Sequence, residues 1–123
     1  MSDKPVAERL QVKGGRRLAV IGASAAVDDK IGVETRRCDM PEADVVVLFV
    51  ADRARLESVL PNAIETASKD AIIWIGYPKL TSELAGDLSR DLIRALVARS
   101  GLDTVSQIAI DDDWSAMRAK RVR

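Results

Sequence analysis

Two apolar runs, DVVVLFVA at residues 44–51 and DAIIWIG at residues 70–76, constrain this chain more than any other feature. Both are rich in β-branched residues and neither alternates with polar ones, the pattern of a strand covered on both faces. Between them Leu56, Val59, Leu60, Ala63, Ile64 and Ala67 recur at helical spacing. Strand, helix and strand in that order make a βαβ unit, so the expected class is α/β with a mostly parallel sheet. Asp52 is placed to cap the helix. Pro61 inside it predicts a kink, or two short helices with Pro61 opening the second.

The flanking sequence extends this unit in both directions. Residues 1–7 are expected to be a mobile leader, residues 6–12 a short helix or extended lead-in, and Gly14-Gly15 a turn. RLAVIG at 17–22 reads as the first strand, followed by the small residues Ala23, Ser24, Ala25 and Ala26. Residues 27–43 leave little room for a long helix, and GVETRR at 32–37 reads as an edge strand. Beyond the second apolar run comes a polar connection, 78–88. Ser89 then caps a helix whose buried stripe is Leu92, Ile93, Leu96 and Val97, and Gly101 supplies its left-handed stop. Residues 104–110 and 114–122 pair as an antiparallel hairpin around the turn at 111–113. The whole, residues 1–123, is expected to form one domain, since this length buries about 65% of the unfolded chain's surface.

Composition narrows the function classes. Apolar residues make up 47% and charged ones 31%, the balance of a soluble globular protein. Lys and Arg number 19, as do Asp and Glu. With no cationic surplus to neutralise phosphates, no specific nucleic-acid partner is expected. The charge is nonetheless separated locally: Arg118, Lys120, Arg121 and Arg123 follow Asp111, Asp112 and Asp113. That tail is either solvated strand ends or an anion or partner site. No stretch reaches the roughly 20 apolar residues needed to span a bilayer, and the amino end has no signal-peptide core. A cytoplasmic setting is expected. The single Cys38 suits a reducing compartment and reads as a small structural residue. Histidine is absent, which removes Ser-His-Asp and Cys-His catalysis and the usual zinc sites. Carboxylate, lysine or tyrosine remain for acid–base work, and no metal site is expected.

In open parallel sheets ligands bind beyond the carboxyl ends of the strands. That rule selects Gly22 and Ser24, Asp52 and Arg53, Tyr77 and Lys79, and the turn before Trp114. The Gly22 loop carries only the first glycine of a dinucleotide fingerprint, and Arg36 and Arg37 stand where a ribose-binding carboxylate is wanted. Tyr77 and Lys79, with Asp87, Arg90 and Asp91, gather a phenol, an ammonium, a guanidinium and two carboxylates. They read as an anion site or a lysine base, or else as a solvated lysine beside a capped helix and a surface ion pair. Trp114 reads as a stacking platform with a magnesium-binding acidic turn, or, in the reading preferred here, as a core or edge tryptophan starting a strand.

The segments at 10–22, 43–50, 72–79 and 110–115 (IDDDWS) resemble a family of small bacterial proteins carried as a domain of unknown function. Their pattern is similar to the later half of a class I S-adenosylmethionine-dependent methyltransferase, and the resemblance covers residues 8–122. It implies a three-layer, shortened Rossmann-like sheet, mostly parallel, with a C-terminal antiparallel hairpin. Such methyltransferases carry a three-glycine loop, an acidic residue after the second strand and much more chain between them, none of which this sequence shows. The expectation is therefore a non-enzymatic domain that binds a small ligand or a protein partner, with self-association open and no obligatory cofactor. The alternatives are a nucleotide or S-adenosylmethionine site, the latter in a degenerate or atypical methyltransferase, and an enzyme using Lys79 with Asp87 or Arg90.

Overall fold

The computed structural model describes residues 6–12, 14–31 and 36–122. Residues 1–5 of the expected leader, 32–35 of the expected edge strand, and Arg123 lie outside them. Residues 6 and 7 are not leader but the start of a short helix, α1 (Val6–Arg9), anchored by buried Val6.

The central strands form where the apolar runs predicted them. β1 is Arg17–Ile21, β3 is Val45–Phe49 and β4 is Ile72–Pro78. Between β1 and β3 lie α2 (Ala25–Ile31), the two-residue β2 (Arg36–Arg37) and a 3₁₀ turn, Met40–Glu42. Helix α3 (Arg53–Thr66) joins β3 to β4, and α4 (Arg90–Ala98) leads to the hairpin of β5 (Leu102–Ala109) and β6 (Trp114–Arg121). The six strands lie in the order β2-β1-β3-β4-β6-β5. β1 to β4 pair in parallel, and β6 runs antiparallel to both of its neighbours.

Two local expectations need correction. Residues 25–31 form a helix where none was read; its signal is Val27 and Ile31, four apart and both buried, after Ser24, whose Oγ accepts from Val27 N at 3.3 Å. α3 is one helix across Pro61, not two. Pro61 lies on the exposed side, where the carbonyl it leaves unbonded is open to water, while Leu56, Leu60 and Ala63 are buried on the other side. Burial of that stripe carries the helix past the proline.

The lack of polar alternation in β3 has a direct cause. Val46 and Leu48, with Ile73 and Ile75, pack with Leu56, Leu60 and Ala63 of α3 and Ile93, Leu96 and Val97 of α4. The alternate residues Val45, Val47 and Phe49, with Trp74, join Val6, Leu10, Val27 and Ile31 in a second core. The Trp74 indole donates to the Leu10 carbonyl at 2.9 Å, which satisfies a buried donor and ties the α1 segment to the sheet. Among the described residues no helix is long and apolar enough to cross a membrane.

At the carboxyl end of β3, Phe49 lies over Gly76 and meets Trp114 edge-on, with ring centroids 5.4 Å apart and planes at 79°. A methyl group added at Gly76 would stand 2.6 Å from Phe49 Cδ1 and 2.8 Å from Cε1. Both rings are hemmed in, so Gly76→Ala forces them apart. We expect a loss of about 1–3 kcal/mol, the usual cost of overpacking a filled core, read as a lower urea midpoint at unchanged m-value.

Candidate functional site

The carboxyl ends of β1, β3 and β4 lie along one side of the sheet. The β5–β6 turn joins them there, because Trp114 stands opposite Pro78 and Lys79 N donates to the Asp113 carbonyl at 2.8 Å. The sequence candidates therefore do share one rim, but they divide into groups with different duties.

Gly22 and Ser24 build the backbone. Gly22 has φ +80°, and a Cβ there would sit 2.6 Å from the Phe49 carbonyl oxygen, so the glycine is required for β1 to close on β3. Ser24 caps α2. Asp52 and Asp87 both serve the start of α3: Asp52 Oδ1 accepts from Arg55 N and Asp87 Oδ1 from Arg53 N, each at 2.8 Å. Arg53 Nε turns along the helix to Glu57 Oε1 at 2.5 Å. At the turn before β6, Asp111 Oδ1 accepts from the backbone of Asp113 and of Trp114, both at 2.8 Å, and Asp113 Oδ1 from Ser82 Oγ at 2.7 Å. Trp114 is engaged with Phe49, and it opens β6, an interior strand between β4 and β5 and not an edge strand. Among the described residues no cluster of metal-ligating side chains occurs.

A cleft of about 410 Å³ remains, and it brings Tyr77, Lys79 and Arg90 together. β4 supplies Tyr77 and the loop that leaves it supplies Lys79, the first turn of α4 supplies Arg90 and Asp91, and the hairpin supplies Gln107 and Ser115. Tyr77 is cross-strand to Ser115, and Gln107 Nε2 donates to Tyr77 Oη at 3.0 Å. With that bond accepted, the phenolic hydrogen is left to donate elsewhere. Burial pushes the Tyr77 pKa up, and the Arg90 charge opposes the rise. Tyr77 is thus a neutral donor at ordinary pH and not a base. One ammonium, one guanidinium and a neutral phenol against the single carboxylate of Asp91 favour an anion. Asp87, read from sequence as part of this group, does not line the cleft. Gln107 and Ser115 were missed; their signal was a serine and a glutamine that hairpin pairing places on the Tyr77 side.

Cys38 packs partly buried against the core, and burial raises its thiol pKa above the ordinary value, the behaviour of a structural cysteine.

A family model matches residues 21–123, more than half of the chain. This chain belongs to the DUF3052 family, described as proteins of unknown function. No curated protein sequence matches it. Solved structures similar to it include several methyltransferases. The B. subtilis M1A22 tRNA methyltransferase TrmK superposes with a TM-score of 0.59 at 12% identity, over 98% of this chain and 66% of that one. The ribosomal protein L11 methylase from Lactobacillus delbrueckii subsp. bulgaricus gives 0.60 at 12%, over 96% and 75%. A SAM-dependent methyltransferase from Aquifex aeolicus gives 0.57 at 10%, over 93% and 86%. At these identities the likeness is one of fold. A DUF3052 chain thus has a methyltransferase-like α/β sheet, parallel at first and antiparallel at its C-terminal strands.

The described residues do not fit S-adenosylmethionine in the manner that the fold implies. The pairing sets Arg37 beside Leu18, four residues before Gly22, so β2 ends about 13 Å short of the rim at 3.3 Å per residue. It brings no carboxylate to a ribose there. Arg37 instead bonds Asp28 at 2.7 Å.

Two measurements check these assignments. Tyr77 is the only tyrosine, so absorbance at 295 nm follows it alone. Its midpoint is expected above 10, rising further in Arg90→Ala. An exposed phenol in the unfolded chain loses its proton first, so stability falls as pH climbs from about 10 through the folded-state value. Asp87→Ala removes a cap of α3 and should cost about 1 kcal/mol in urea unfolding while leaving the Tyr77 titration in place.

Proposed function

We propose that this DUF3052 chain is a three-layer, shortened Rossmann-like domain that acts in the cytoplasm as a binding module for a small anionic ligand. The observation that carries this reading is the cleft in which Lys79 and Arg90 stand beside the neutral Tyr77 while Asp87 is held away at the start of α3. A carboxylate or monophosphate paired with the two cations meets the Tyr77 hydroxyl and the Gln107 amide at the cleft wall. A ligand of that kind fills a cleft at the low end of the usual 300–1,000 Å³ range. The module binds without turnover, since the cleft offers no histidine, no free thiol and no activated carboxylate pair to do chemistry on what it holds. Methyl transfer is the weaker reading, because it rests on fold likeness at 10–12% identity and the rim supplies no ribose carboxylate.

A thermal-shift series tests it. Small carboxylates and monophosphates are compared with S-adenosylmethionine and its demethylated product, on the natural chain and on Lys79→Ala/Arg90→Ala. A ligand at 100 times its dissociation constant stabilises by about 2.7 kcal/mol, enough for a clear rise in Tm. We expect that rise from a small anion, and its loss in the double variant. Stabilisation by S-adenosylmethionine alone, or an equal rise in both proteins, removes the proposal.

A further inference from the structure

The other end of the sheet holds a feature that the rim does not explain. β4 begins at Ile72 and its first partner on β6 is Ile73 with Ala119, yet β6 continues to Arg121, paired there only with β5. Before β4 the chain turns away, with Ala71 N donating to the Ser68 carbonyl at 3.0 Å. The two strands part, and the gap between residues 69–72 and 118–121 is a cleft of about 540 Å³.

Its charge is one-sided. Lys69, Arg118, Lys120 and Arg121 line it against the single carboxylate of Asp70, in a chain whose formal charge is zero. Among the described residues none of these four cations belongs to an ion pair. Side chains alternate along a strand, so Arg118 and Arg121 leave β6 on opposite faces and flank the opening from two sides. Arg121 is held in place, since its Nη2 donates to the Ile64 carbonyl at 3.0 Å. The Nε atoms of both arginines are buried and have no hydrogen-bond partner.

We propose that this cleft binds a diphosphate group, either as free diphosphate or as part of a nucleotide. A single carboxylate would leave most of the cations uncompensated, whereas a diphosphate carries the charge and the several oxygens to accept from two guanidinium forks and two ammonium groups. The cleft has the volume of a metabolite site. A polynucleotide is disfavoured, because acidic residues equal basic ones in number and leave no cationic surplus outside the clefts to follow a phosphate backbone. The site lies at the opposite end of β4 from Tyr77 and Lys79, so it stands or falls apart from the rim reading.

Calorimetric titration of the full chain at low salt with diphosphate, ADP, adenosine and citrate tests this. Diphosphate or ADP should bind and adenosine should not; ADP about ten-fold tighter than diphosphate identifies a nucleotide, and equal affinity identifies the free anion. Lys69→Glu/Lys120→Glu changes two exposed side chains and should weaken binding about ten-fold or more, with Tm and the Tyr77 titration retained. Lys79→Ala should leave it unchanged. Lack of any heat at millimolar diphosphate and ADP overturns the proposal. So does citrate binding as tightly as diphosphate, undiminished binding by the Lys69/Lys120 variant, or loss of binding in Lys79→Ala.

Discussion

The rim of this sheet depends on how Phe49 is housed. Its carbonyl lies where any side chain at residue 22 would be, its ring occupies the space that Gly76 leaves empty, and its edge meets Trp114. One residue at the end of β3 thereby fixes the distance to β1 on one side and to β4 and β6 on the other. Two glycines, one at the end of β1 and one in β4 on either side of β3, are the condition for that packing. Loops leaving these strands start from a closely packed rim, which is what a binding cleft built from three separate segments needs.

Carboxylates near the rim are mostly spent on structure. Asp52 and Asp87 bond backbone donors at the first turn of α3, and Asp111 closes the turn into β6. A helix start left without such acceptors would bury or expose unsatisfied N–H groups, so these aspartates are fixed by backbone need before any ligand is considered. The cations at the two ends of β4 belong to no ion pair among the described residues. Lys79 and Arg90 at one end of β4, and Lys69, Lys120 and the two arginines of β6 at the other, are left over to face two clefts of positive character. A chain with zero net charge comes to present cationic openings because its anions are consumed locally.

Much of the architecture was legible because it rests on local patterns. The unbroken β-branched runs marked β3 and β4, the periodic stripes marked α3 and α4, and Ser89 and Gly101 marked the limits of α4. The likeness to a shortened methyltransferase fold was legible too, through the order of these segments. Helix α2 was not, because seven residues give barely two turns and its burial comes from the sheet beside it. The site was legible in part. Tyr77, Lys79 and Arg90 are close in sequence and turned out to share a cleft, whereas Gln107 and Ser115 arrive through strand pairing across some 30 residues. Asp87 sits between Lys79 and Arg90 in sequence, yet the connection folds back so that it faces α3.

Sequence by itself determined most of the segments that become strands and helices, the all-round burial of β3, and the exclusion of histidine-dependent catalysis, because each follows from side-chain type and spacing along one local axis. Only the tertiary structure decided that β2 stops short of the rim, that Asp52 and Asp87 cap one helix, and that β4 and β6 part beside Arg118 and Arg121. Those outcomes depend on strand register and on which segments meet. Register is set by the summed packing of both cores, a property that no single stretch of the chain contains.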